Sequence, residues 1–226
     1  QILLTCEHAV NTIPNDFQPA YAAHHNLLNT HRGYDLGAQD IARHLTQHLH
    51  MPYLEADVSR LLIDYNRSLS NRHCLSFISK AFDAPTKEKL AHTYYLPYRQ
   101  RVFDTLESLI KASSEPILHL AIHSFTPVFK EITRTADLGF LYDPSRPLEK
   151  QIAATWCQWL SQQTHPFKYR RNYPYLGTSD GLTTTCRKRF GPEVYAGFEI
   201  EFNQGTMEHA HARQALVELV LRMIQA

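Results

Sequence analysis

The chain places its chemically versatile side chains where apolar runs end: His8, Asp35, Arg60, Asn66, Arg67, His123 and Glu201. Two histidines and a carboxylate form a three-ligand set that leaves one zinc position for water. A separate glutamate can take the proton of that water, whose pKa zinc lowers toward 7. One arginine can stabilise the oxyanion of a tetrahedral intermediate, and a second can hold a substrate carboxylate in a bidentate fork. Such a set hydrolyses an amide beside an acidic group. Each residue also has a simpler reading. His123 can be a hydrogen-bonded histidine under a loop, Asp35 a helix N-cap, and Asp64 an arginine partner that locks its loop. Glu7, beside His8, is a second candidate ligand or a partner to one.

The elements that must position these residues follow from the apolar patterning. Residues 117–127, ILHLAIHSFTP, read as one buried strand that breaks at Pro127 and leaves His123 near its carboxyl end. In open α/β sheets, ligands collect beyond such ends. Residues 2–6 read as a first strand with His8 just past it. From Asp35 the pattern turns helical through Leu36, Ile41, Leu45 and Leu49. Residues 52–56 read as an edge strand, and 61–63 as a short strand or strand end bracketed by Arg60 and Arg67.

Residues 68–97 read as a long excursion over the site, and 97–110 as a helix. Strands are expected at 138–142, 167–169 and 194–202, and helices at 152–160 and 209–224. Residues 170–192 read as a basic, aromatic, glycine-bearing loop. Glu199 and Glu201 lie two apart in the last strand and project to one face. Strands alternating with helices imply an α/β fold, here one domain over residues 1–226.

Composition narrows the function classes. Length, at 226 residues, suits one α/β domain, with 43% hydrophobic and 20% charged residues. A net charge of +1 supplies no basic field for nucleic acid or an anionic membrane, so any acidic ligand must meet local arginines. Fourteen histidines are not a metal signal by number alone; His44, His48 and His50 read as surface residues of one polar helix. Cys6, Cys74, Cys157 and Cys186 are widely spaced, which argues against a thiolate zinc knuckle or a disulfide scaffold. Free buried thiols in a cytoplasmic protein are the expectation. No run reaches transmembrane length. The chain starts at Gln1 inside an apolar run, so a missing native N-terminus or a lost leader stays open.

Six segments in order, CEHAVNTIP (6–14), HRGYDLGA (31–38), SRLLIDYNR (59–67), HSFTP (123–127), NYPY (172–175) and EIEFNQ (199–204), resemble the N-formylglutamate amidohydrolase family. That family is related in fold to the zinc carboxypeptidases and aspartoacylase. The resemblance implies a three-layer α/β/α sandwich around a mixed, mainly parallel sheet. By this resemblance His8 and His123 are zinc ligands, Asn66 and Arg67 hold the substrate carboxylate, Arg60 polarises the scissile carbonyl and Glu201 is the general base.

The chain departs from the relatives' pattern in two places. Asn11 stands where the carboxypeptidase-type pattern has a ligating glutamate, so Asp35 is expected as third ligand, with Glu7 the alternative. Asn203 and Gly205 stand where relatives carry arginine and aspartate, which points to a different acyl or amine preference. Arg134 and Asn172 are expected to help line the pocket. The implied substrate is a small N-acyl amino acid such as N-formylglutamate. A carboxypeptidase or other deacylase on the same scaffold is the alternative, and a non-catalytic ligand-binding relative the third. A closed, arginine-rich pocket favours the first; an open groove favours the second.

Overall fold

A computed structural model describes residues Gln1–Ala226. Six strands form one sheet: β1 (Ile2–Cys6), β2 (Tyr53–Glu55), β3 (Ile117–Phe125), β6 (Leu138–Leu141), β7 (Tyr169–Arg171) and β8 (Tyr195–Asn203). A separate two-stranded hairpin is made by β4 (Val128–Phe129) and β5 (Ile132–Thr133). The order across the sheet is β2-β1-β3-β8-β6-β7, and every pairing is parallel except β6 with β8. Parallel strands covered on both faces must be apolar throughout. In β3 and β8 the side chains of Leu120, Ile122, Ile200 and Phe202 are fully buried, each worth about 1.5–3 kcal/mol.

Helices Ala38–Leu49, Pro147–Gln162 and Ala210–Gln225 pack together as one layer, the first against β1 and β3 and the second against β8. Trp156 meets both Phe140 and Phe198 there. Helices Leu96–Ala112 and Leu182–Arg189 pack on β3 and β8, and are tied to each other by Arg189 over the Phe103 ring. The result is a mixed, mainly parallel sheet between helices, as expected.

Several local expectations need correction. Residues 61–63 are no strand: Ser59 turns the chain, its carbonyl accepting from Leu62 and its hydroxyl from the Leu61 amide, so the three apolar side chains are buried from a turn. The stretch 68–97 holds helix Ala84–Leu90 and a π-helical segment Ala91–Tyr95 that runs directly into Leu96–Ala112. The 170–192 stretch contains helix Leu182–Arg189, whose buried face is Leu182, Thr183 and Cys186. The strand expected at 167–169 begins at Tyr169. His50 caps helix Ala38–Leu49 rather than continuing it.

Chain direction decides where chemistry can gather. β1, β3 and β8 run parallel, so the segments after β1 and at the ends of β3 and β8 meet at one edge. Between β1 and β3 the order of connection reverses, which opens a crevice at their carboxyl ends.

Candidate active site

His8 follows β1 by two residues, and its carbonyl accepts a hydrogen bond from the Asp35 amide at 2.9 Å. That one backbone bond delivers Asp35 beside His8 across 27 residues. The loop between them is clamped where Ser59 Oγ donates to the Gly33 carbonyl. A side chain at Gly33 would collide with the Leu28 backbone, so only glycine allows this approach. Asp35 does not cap the following helix, whose N-cap is Gly37 at φ 77° without a side-chain bond. Its carboxylate turns instead to the end of β3.

There Asp35 Oδ2 lies 2.9 Å from His123 Nδ1 and 3.3 Å from His8 Nδ1. One ligand atom from each of His8, Asp35 and His123 lies within 4.8 Å of the others, and all three residues are buried. Each outer ring nitrogen faces a second carboxylate. His8 Nε2 is 2.7 Å from Asp64 Oδ1. His123 Nε2 is 2.9 Å from Glu7 Oε2, a fully buried ion-pair contact. Tyr98 donates to the other oxygen of Glu7 at 3.1 Å. Arg60 reaches over the group, with Nη1 3.3 Å from Asp35 Oδ1 and Nη2 3.0 Å from Asp64 Oδ2.

The electrostatics favour a cation. Burial resists ionisation of Glu7, Asp35 and Asp64, yet the neighbouring histidines, with Arg60 for Asp64, hold all three carboxyls below their usual range. Burial would likewise lower His123, but Asp35 and Glu7 raise it well above an ordinary imidazole. Three ionised carboxylates therefore surround two histidines, and a proton on His123 partly balances them. Two imidazole nitrogens converging with a carboxylate oxygen form a donor set for a borderline divalent ion, with the outer nitrogens facing the carboxylates of Asp64 and Glu7.

Glu201 lies one strand over. In the parallel β3–β8 ladder it is the register partner of His123, and in the antiparallel β6–β8 ladder the partner of Gly139. A side chain at Gly139 would strike the Tyr173 carbonyl and come within 3.3 Å of Glu201 Cβ. Burial pushes the Glu201 carboxyl up to about 8, with Asp35 and Glu199 adding to the rise and His123 and Arg60 opposing it. Its Oε2 is buried with no hydrogen-bond partner. Glu199, on the same face, is instead bonded to Thr183 Oγ1 at 3.1 Å.

These groups open onto one cavity of about 790 Å³ lined by His8, Asp35, Arg60, Asn66, Arg67, His123 and Glu201 among others. Asn66 is held in place: its Oδ1 accepts from the Leu182 amide at 2.7 Å and its Nδ2 lies 3.4 Å from His123 Nε2. Arg67 donates from Nη1 to the carbonyls of Asp180 and Asn66, which leaves Nε and Nη2 for a ligand.

Arg134 and Asn172 are not brought to the cavity lining. Arg134 is buried behind it, its guanidinium stacked on Phe129 and Tyr175. Asn172 accepts the amides of Tyr142 and Gly177 and so fixes a loop. The pairing of Asp64 with His8 had no sequence signal beyond an aspartate buried in an apolar run. His31, Tyr175 and Asp180, which also line the cavity, had no individual signal either.

The fold agrees with what the chain is similar to. A family model described as N-formylglutamate amidohydrolase matches residues 1–207. No curated protein matches the sequence. Among solved structures, gene product Atu2144 from Agrobacterium tumefaciens superposes with a TM-score of 0.85 at 24% identity, covering 99% of this chain and 88% of that one. An N-formylglutamate amidohydrolase from Ralstonia eutropha JMP134 superposes with a TM-score of 0.70 at 16% identity, covering 99% and 92%. At these identities the two superpositions establish the fold.

Proposed function

Because the chain belongs to the N-formylglutamate amidohydrolase family, we propose that it hydrolyses the amide bond of an N-acyl amino acid with the help of one divalent metal ion, zinc. The observation that carries this reading is the approach of both His8 Nδ1 and His123 Nδ1 to Asp35 Oδ2, at 3.3 and 2.9 Å, in the cavity that also holds the unpartnered carboxylate oxygen of Glu201.

His8, Asp35 and His123 would hold the metal, with Asp64 and Glu7 facing the outer nitrogens of the two imidazole rings. When bound, the ion polarises the acyl carbonyl and makes water acidic enough to attack near neutral pH. A cation held at the three ligands would favour the ionised form of Glu201, whose carboxyl burial otherwise raises. Glu201 takes a proton from the attacking water at Oε2 and gives it to the leaving amine nitrogen. Arg60, its guanidinium oriented by Asp35 and Asp64, donates to the developing oxyanion. Arg67 presents Nε and Nη2 to the substrate carboxylate, and Asn66 keeps that segment in register. Arg134 and Asn172 act behind the wall, on its aromatic residues and its loop.

A wider deacylase or carboxypeptidase activity is the second reading. The cavity volume favours it, since about 790 Å³ exceeds what a formyl amino acid fills. The test is a metal assay of the purified protein together with a panel of N-formyl and N-acetyl amino acids and short peptides. One bound metal with cleavage of N-acyl amino acids supports the first reading, and cleavage of peptides alone supports the second. Binding without cleavage of any member contradicts both.

A further inference from the structure

Exposed apolar side chains are concentrated at the mouth of this cavity. Eight large hydrophobic residues are exposed on the chain, and four of them, Phe77, Phe129, Tyr175 and Leu176, line the same cavity as the buried histidines. They are 42–62% exposed and come from three separate segments. Single exposed apolar residues are ordinary, whereas a patch rimming a polar pocket marks a ligand-binding surface.

The patch is built rather than incidental. Arg134 is itself buried and sets its guanidinium 4.8 Å from the Phe129 ring centre and 5.1 Å from that of Tyr175. It also donates to the Tyr175 hydroxyl at 3.3 Å. Arg32 lies 5.5 Å from the ring centre of Phe77. Cation–π contacts fix these rings before any ligand arrives, which lowers the ordering cost of binding. The hairpin β4–β5 carries Phe129 and leads directly to Arg134. Arg67 is anchored to a different set, the carbonyls of Asp180 and Asn66. The carboxylate-binding edge and the aromatic wall are thus separate parts of one lining.

We propose that the lining formed by Phe129 and Tyr175, joined through Arg134, and by the adjacent Leu176 is a subsite for an apolar acyl group, so that the preferred substrate is an N-acyl amino acid with an acyl chain longer than formyl. The proposal rests on the amidohydrolase reading for its chemistry and on the wall for its specificity. The amino-acid carboxylate meets Arg67, the scissile carbonyl lies at the histidine–carboxylate group, and the acyl chain extends along the aromatic rim.

The experiment uses the metal-loaded protein and N-acylglutamates from formyl through acetyl and butanoyl to hexanoyl. In parallel, N-alkylglutamates of matching length, which lack the scissile carbonyl, are titrated calorimetrically. Each added methylene is expected to raise kcat/KM, and to tighten the uncleavable ligand, by about fourfold while the chain stays on the wall. Phe129→Ser and Leu176→Ser, both at exposed positions, should flatten that slope in the two series. A kcat/KM that is flat or falls as the chain lengthens overturns the subsite, as does a slope unchanged in both variants. Chain-length-dependent binding with no cleavage of any amide keeps the subsite and refutes the amidohydrolase reading. Sedimentation that shows a dimer lost in Phe129→Ser assigns the patch to a second copy and overturns the proposal.

Discussion

Glu201 and His123 are register partners in the parallel β3–β8 ladder, so the strand that carries a candidate metal ligand also fixes the depth of the candidate base. Glu199 pairs with Ala121, one step further back on the same face, and its carboxylate is engaged by Thr183. The two glutamates share a face and one cavity but differ in their hydrogen bonding. Glu201→Gln is expected to lower kcat by on the order of 10²–10⁴ with metal content unchanged. Glu199→Gln should cost much less. The reverse ranking would move the reacting centre one ladder step toward Ala121.

Asp64 and Glu7 test whether the histidine rings are held from behind. Asp64→Asn retains shape but loses the anion 2.7 Å from His8 Nε2. Such outer partners typically contribute 10–100-fold in metal affinity, so the variant should bind zinc roughly that much more weakly in a chelator competition. An unchanged affinity would confine Asp64 to pairing with Arg60.

Arg67→Lys keeps the charge but loses the planar fork. The KM for an N-acylglutamate should rise on the order of tenfold or more, the range expected for charge-assisted hydrogen bonds. The KM for an N-acyl amino acid amide, which lacks the α-carboxylate, should move little. An equal change for both substrates would make Arg67 a structural anchor for Asp180.

His119 gives a pH signature independent of catalysis. It is fully buried, with Nε2 2.8 Å from Thr5 Oγ1 and Nδ1 2.8 Å from Tyr195 OH. Burial lowers its pKa to about 4 from an ordinary 6.5. The unfolded chain therefore binds a proton at His119 that the folded chain refuses between those values. Its contribution to stability is present above pH 6.5 and is lost as pH falls toward 4, by about 3 kcal/mol. Denaturant unfolding of wild type and His119→Gln across that window should show the steeper acid loss in wild type. Parallel curves would mean that the histidine is protonated in the fold.

The parts of this architecture that were legible in the sequence are those set by local pattern. β1, β3 and β8 are apolar runs that end in polar residues, so their existence and the position of His8, His123 and Glu201 at their ends could be read directly. The site required more. Asp35 reaches His123 across 88 residues, a proximity set by strand order and by the backbone bond to His8. The N-cap reading of Asp35 failed because Gly37, at positive φ, begins the helix instead.

Helix Leu182–Arg189 was hidden for a different reason. Its LTTTCRKR sequence has three β-branched threonines and weak helix propensity. Tertiary contacts hold it: the Leu182 amide donates to Asn66 Oδ1, and Arg187 bridges Glu149 and the Gly197 carbonyl. Three apolar residues at 61–63 carry no period long enough to separate a strand from a buried turn.

In the proposed mechanism a metal held by His8, Asp35 and His123 enables amide hydrolysis. Its most direct test is the rate of N-acylglutamate cleavage by the chelator-stripped protein as zinc is titrated back. Cleavage should be negligible without metal and recover fully at one zinc per chain, with no recovery in His123→Ala. Full cleavage by the stripped protein, or zinc-dependent recovery in His123→Ala equal to wild type, would rule out a catalytic metal at these three residues.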